Sequence, residues 1–277
     1  MPAPTSTNGD ESWKWRRLPT HVGASQRHVA LSDALSRAVS TPSIWWHSTT
    51  RETLILGAGQ NWTDVDLKRC RDQNVLVLKR RSGGTTVYAG SGVWGLDIAI
   101  PAGSSEWRAD ILEAYRWTGE LWVETLKELG VDARMASVAE ARSNSSDPDE
   151  CSSLVSSICF ANVSPYEIFV NSRKLVGFAQ IRRSSAYVVQ SGIHVQFPSA
   201  RVARLMQTSD PEALAACVQN RVIGLAELVP FDPEIASVRA TFERTLTRRS
   251  GRSIALGEWS AAETAQADEA HLSYAPS

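Results

Sequence analysis

Val29, Leu31, Leu35 and Val39 recur at near-helical spacing while Asp33 and Arg37 fall elsewhere on the wheel, so residues 26–39 are expected to form a helix. Strand patterns follow at Ser43-Ile44-Trp45-Trp46-His47 and at Thr53-Leu54-Ile55-Leu56, which stops at Gly57. Asn74-Val75-Leu76-Val77-Leu78 is a continuous apolar run, the mark of a strand buried on both faces. Residues 93–100 read as another strand ended by Pro101. From 107 to 129, Ile111, Leu112, Tyr115, Leu121, Trp122, Thr125 and Leu129 keep the helical period, and Gly130 sits where a C-cap glycine belongs.

Residues 139–157 break the pattern with a serine-rich polar stretch, expected as a long connection or lid. Beyond it, Glu167-Ile168-Phe169-Val170 and Lys174-Leu175-Val176 flank an Asn-Ser turn, and further strands are expected at 186–190 and 192–197. Asp210 opens a helix through Val222 with Pro211 in its first turn, and Ser260-Ala261-Ala262-Glu263 matches a capping box. Residues 1–24, rich in Pro, Ser and Thr, read as a flexible leader, 25–230 as the catalytic body, and 231–277 as a short helical C-terminal extension.

Composition narrows the function classes. The chain has 277 residues, enough for a large core, and its net charge of −1 argues against a nucleic-acid surface. No apolar run reaches the length of a bilayer span and no secretory signal opens the chain, so a cytoplasmic protein with no membrane partner is expected. Cys70, Cys151, Cys159 and Cys217 are far apart without metal spacing, as are the five histidines, so neither a metal site nor a structural disulfide is expected. His194 alternates with apolar neighbours and reads as structural.

Three segments can carry chemistry. Lys79-Arg80-Arg81-Ser82-Gly83-Gly84 ends a strand in a loop whose backbone can close on an oxygen-rich ligand; its plain alternative is a tight hairpin with solvated arginines. It lacks the Gly-Lys-Ser/Thr of a Walker loop and opens no dinucleotide-binding helix. Lys174, in an otherwise apolar strand, can position a carbonyl or phosphate, or can be an edge-strand lysine that discourages aggregation. Cys159 is a nucleophile if a cation lies close, and a packing residue otherwise.

Taken in order, these segments resemble the biotin/lipoate protein ligase superfamily, in particular its lipoate-protein ligase A and cysteine-dependent octanoyltransferase branch. The family's Arg-Arg-x-Ser-Gly-Gly-Gly-x-Val loop is similar to Lys79-Arg80-Arg81-Ser82-Gly83-Gly84-Thr85-Thr86-Val87, and its Gly-Arg-Lys-x-x-Gly-x-Ala-Gln segment to residues 172–180. Ile158-Cys159-Phe160 through Tyr166-Glu167 resembles the octanoyltransferase Ala-Cys-Phe…Tyr-Glu segment, and Leu31-Ser32-Asp33-Ala34-Leu35 and Leu56-Gly57-Ala58-Gly59-Gln60 are weaker matches.

The resemblance implies an α/β (α+β) domain, a mixed β-sheet flanked by helices, that places an octanoyl or lipoyl group on a lysine of a carrier protein. In the transferase version Cys159 attacks an acyl-thioester of acyl carrier protein, and Lys174 holds the acyl carbonyl while its charge favours the thiolate. Arg80, Ser82, Gly83, Gly84, Thr85, Tyr88, Gly177, Ala179 and Gly192 would bind substrate, and no cofactor is required. The acceptor would be a lipoyl domain or a glycine-cleavage H-type carrier protein. In the ligase version free lipoate, ATP and Mg replace the thioester, and no covalent cysteine is needed; a third version is an idle homologue that binds acylated carriers. Thr85, Tyr88 and Ser191 depart from the family's glycine, histidine and histidine, and the wider residue at 85 implies a narrower acyl pocket.

Overall fold

The computed structural model describes residues 14–146, 151–229, 234–270 and 273–274. In chain order its strands are β1 (Trp15–Arg17), β2 (His21–Gly23), β3 (Ser43–Thr49), β4 (Thr53–Leu56), β5 (Leu76–Lys79), β6 (Val87–Ala89), β7 (Val93–Pro101), β8 (Arg134–Met135), β9 (Ile168–Val170), β10 (Arg173–Arg182), β11 (Ala186–His194), β12 (Ile254–Leu256) and β13 (Ser273–Tyr274). The helices are α1 (Ser25–Ala38), α2 (Leu67–Asp72), α3 (Ile111–Glu128), α4 (Val138–Ser146), α5 (Ser152–Val155), α6 (Ser199–Leu205), α7 (Pro211–Arg221), α8 (Ile235–Ser250) and α9 (Ala261–Asp268).

The main sheet runs β12-β1-β3-β7-β11-β10-β9-β8, with β2 also pairing with β3, and a second sheet runs β13-β5-β4-β6. The main sheet is mixed: β12, β1, β2 and β3 pair in parallel, while β3-β7-β11-β10-β9-β8 pair antiparallel. Period-two alternation sorts its side chains onto two faces. Ile44, Trp46, Leu96, Ile98, Val189 and Ile193 face a core shared with Trp122 of α3 and Phe242 of α8. On the other face Trp45, Ala99, Ala186 and Val188 meet Leu31, Ala34 and Leu35 of α1. A further core joins Leu54, Leu56 and Val77 of the second sheet to Val202, Leu214 and Val218 of α6 and α7.

Helix starts follow local chemistry: Asp110 caps α3, Asp210 caps α7, and the Ser260–Glu263 box caps α9. Several expectations change in the fold. Of the expected leader, residues 1–13 lie outside the described residues, while the described part supplies β1 and β2, with Trp15 fully buried. The C-terminal segment is likewise interwoven, since β12 pairs with β1, α8 packs on α3 and α9 on α1. The stretch expected as a polar connection contains α4 and α5, with 147–150 outside the described residues. Residues 186–194 form one strand, because Gly192 pairs with Gly95 on one side and Gly177 on the other without a break.

The cysteines also differ from expectation. Cys151 and Cys217 are joined in a disulfide that ties the start of α5 to α7, their Cα atoms 5.5 Å apart. Packing of α5 against α7 brings together residues that sequence spacing keeps 66 apart. Among the described residues no helix is long and apolar enough to cross a membrane, and no three His, Cys, Asp or Glu side chains are placed to hold a metal ion.

Candidate active site

Cys159 opens a single 3-10 turn, residues 159–161, lodged between the two sheets. Its N–H donates to the Thr86 carbonyl (2.9 Å), and Thr86 N–H donates to the Ser157 carbonyl (2.9 Å), so the residues before the thiol pair with the chain entering β6. Asn162, just after the turn, reaches back across it, its Nδ2 donating to the carbonyls of Val155, Ser156 and Ile158. With Cys151 bonded to Cys217 and Cys70 buried away from the site, Cys159 is the half-buried free thiol among the described residues.

Lys174 lies under this turn and is 1 % exposed. Its Nζ donates to the Cys159 carbonyl (3.0 Å) and stands 2.6 Å from Glu167 Oε2, a carboxylate equally buried. Glu167 also accepts from the backbone N–H groups of Ser164 (2.7 Å) and Phe178 (3.1 Å). Burial raises its carboxyl above the usual range, opposed by the Lys174 charge and these N–H donors. The pair forms because the β9–β10 ladder is irregular: Lys174 faces Phe169, but Val176 already faces Ile168, so the register shifts beside Glu167. Lys174 therefore fixes the main chain of Cys159, a role beyond the expected contact with an acyl carbonyl.

Arg80 is the second cation. Its guanidinium donates to the carbonyls of Ile55 (2.9 Å), Gly83 (2.8 Å) and Thr85 (3.0 Å), while its Nε has no partner among the described residues. Burial lowers its proton affinity, countered by the nearby Cys159 and Tyr115. Tyr115, stacked on Phe178, is raised above the usual phenol range by burial and then by Glu167 and Cys159, so it stays neutral.

The Ser-Gly-Gly loop is a tie between sheets. Ser82 Oγ donates to Gln190 Oε1 of β11 (2.7 Å), and Gly84, at φ +86°, rests on Gly57, where an added Cβ would lie 1.8 Å from the Gly84 carbonyl oxygen. Gln60 secures the junction: its Oε1 accepts from Gly57 N–H (3.0 Å) and Thr86 Oγ1 (3.1 Å), and its Nε2 donates to Asp64 (2.9 Å) and the Ser157 carbonyl (3.3 Å).

Between the main sheet and the second sheet lies a mostly apolar slot of about 130 Å³. Of the expected site residues it brings together Cys159, Arg80, Gly177, Ala179 and Gly192. Lys174, Ser82, Gly83, Gly84 and Thr85 do not line it; Lys174 sits beneath the Cys159 turn, and the loop residues hold Arg80 and the sheets in place. Tyr88 is a correction: strand alternation turns Val87 and Ala89 toward the slot and Tyr88 away, where its hydroxyl donates to Glu52 (2.6 Å). Sequence reasoning missed Phe160, whose ring tip rests over Gly177 and Gly192, and gave no role to Glu167 although it lies in the Tyr-Glu segment. It quoted Gln60 only as the end of the weaker Leu56-Gly57-Ala58-Gly59-Gln60 match and gave it no role, since two of its four bonds reach Thr86 and Ser157, far along the chain.

Comparisons with known proteins give the family and the fold. The model of the family "Lipoyl protein ligase A/B catalytic domain" matches residues 25–247. The octanoyltransferase LipM of Kyrpidia tusciae is 25% identical over 269 residues, covering 94% of this chain and 96% of that protein. The LipM of Carboxydothermus hydrogenoformans is 28% identical over 243 residues, covering 84% of each. Among solved structures, a bi-partite lipoate protein ligase from Thermoplasma acidophilum superposes with a TM-score of 0.74 at 19% identity, covering 93% of this chain and 91% of that one.

Proposed function

The chain belongs to the lipoyl protein ligase A/B catalytic domain family, and on that footing we propose that it is an octanoyltransferase working through a thioester on Cys159. The observation that carries this reading is a free thiol lining an apolar slot, its turn pinned by the buried Lys174–Glu167 pair and Arg80 beside it.

The Cys159 thiolate attacks the thioester carbonyl of an octanoyl group on acyl carrier protein. The carbon–sulfur bond to the carrier breaks, the carrier thiol leaves with a proton, and octanoyl-Cys159 remains. Lys174 does not line the slot; two of its three donors have partners in Glu167 and the Cys159 carbonyl, and the third would be the one to turn to the developing oxyanion. The unpartnered Arg80 Nε–H is the second donor suited to it. The neutral amine of a carrier lysine, in a lipoyl domain or an H-type carrier protein, then attacks the octanoyl carbonyl. Cys159 thiolate is expelled, an amide forms, and the amine's extra proton passes to solvent. No nucleotide enters either step, and the reaction belongs in the cytoplasm where acyl carrier protein works.

Intact-mass analysis after mixing with octanoyl-acyl carrier protein tests the first step. An octanoyl adduct is expected on the parent protein and none on Cys159→Ala. An unmodified parent protein would overturn the thioester route.

A further inference from the structure

The inner end of the slot has no part in that chemistry, yet it is polar. His28 and Ser32 of α1, His47 of β3 and Asp97 of β7 line it. Sheet register places them: Gly177, Gly192, Gly95 and His47 stand opposite one another on β10, β11, β7 and β3. Phe160 covers the first two glycines, and the His47 ring covers the third so closely that a Cβ on Gly95 would lie 2.1 Å from it. Three strand spacings, roughly 14 Å, separate the strand of Gly177 from the strand of His47. The His47 ring leans over Gly95, only two spacings from Gly177, so an extended octanoyl chain reaching from the Cys159 turn would end beside the imidazoles.

We propose that this inner end is a specificity subsite for an acyl chain bearing a hydroxyl at or next to its last carbon. The inference rests on reading the slot as the acyl site. Asp97 is 1 % exposed and accepts from Ser32 Oγ (2.5 Å), with His47 Nε2 at 3.3 Å; a carboxylate has capacity for further donors. His28 is 5 % exposed, and its Nε2 has no partner among the described residues. A methyl terminus leaves both groups buried against hydrocarbon, which is costly, whereas a hydroxyl donates to Asp97 and accepts from His28. Burial, then His47 and His21, hold His28 uncharged with its pKa lowered to about 2, so His28 offers no cation to a second carboxylate. Asp97 repels one as well.

Calorimetric titration of the full chain with free octanoate, 8-hydroxyoctanoate and 8-aminooctanoate tests this without requiring transfer. The hydroxy acid is expected to bind about tenfold tighter than octanoate, the scale of one hydrogen bond to an otherwise unpaired buried group. The difference should vanish in His28→Leu and persist in part in His28→Gln, whose amide reaches the Nε2 position. Octanoate binding as tightly as the hydroxy acid, tightest binding of the amino acid, a preference unchanged in His28→Leu, or no binding of any acid would each overturn it. Acylation of Cys159 by octanoyl thioester, followed in parallel, separates the two readings. Acylation without hydroxyl preference sinks only the subsite, and preference without acylation sinks only the thioester route.

Discussion

Lys174 and Glu167 are 1 % exposed each, and neither charge is tolerable there without the other. Glu167→Gln leaves the ammonium without its carboxylate, and a loss of about 3–5 kcal/mol is expected in urea unfolding. Adding Lys174→Met should recover most of that stability, because replacing a buried pair by an uncharged, well-packed one is often neutral. Acylation of Cys159 should stay down by about a hundredfold in the double variant, as when one donor to an oxyanion is removed. Recovery of acylation together with stability would show that the lysine only holds the fold.

His194 gives a pH signature at the same scale. It is fully buried between Phe160 and Phe197, both ring nitrogens lack partners among the described residues, and burial lowers its pKa from 6.5 to about 3. Below pH 6.5 the unfolded chain takes up a proton that the folded chain refuses, so stability falls with falling pH down to about 3. His194→Leu should therefore gain on the parent by roughly 2 kcal/mol between pH 7 and pH 5, read from urea midpoints at each pH. An unchanged difference would mean that His194 is protonated in the fold. Both pairs of facts were half legible in the sequence. Alternation marked His194 as structural, and the order of Cys159 and Lys174 pointed to one site. Glu167 as partner depends on a shifted register in β9–β10, which no side-chain pattern announces.

At the scale of elements, the long periodic segments α1, β3, β7, α3 and α7 were readable because burial imposes their period. The short pieces α2, α6, β6 and β12 were not, since three to seven residues held by tertiary contacts carry little pattern of their own. The Ser-Gly-Gly loop was recognisable, but its work was not: it supports Arg80 and ties Ser82 to Gln190, while Gly177, Ala179 and Gly192 line the slot. Gly57 is the element it leans on. A Cβ there meets main chain and not a flexible side chain, so Gly57→Ala is expected to cost about 1–3 kcal/mol and to shift the Arg80 loop. Octanoylation should slow at least about tenfold, equal to about 1.4 kcal/mol of barrier. A variant with parental stability and rate would show that the loop can settle elsewhere.

For the whole molecule, the segments read as leader and extension prove to be structural neighbours. β1 from the start of the described chain and β12 from its C-terminal part lie side by side, and Arg16 reaches Glu263 of α9. Composition could not show this, because pairing between distant segments is a property of the closed sheet. The slot likewise belongs to no single element: its walls come from α1, both sheets and the Cys159 turn. The proposed function therefore turns on one event, acyl passage from that thiol to a carrier lysine. Octanoyl-enzyme isolated free of donor and mixed with an unmodified lipoyl domain, ATP absent, measures it directly by intact mass in a single turnover. If acyl passage runs through the thiol, the octanoyl mass leaves Cys159 and appears on the domain's lysine at matching rates. Octanoyl-lysine formed from the free acid only with ATP and magnesium, and equally well by Cys159→Ala, would contradict it.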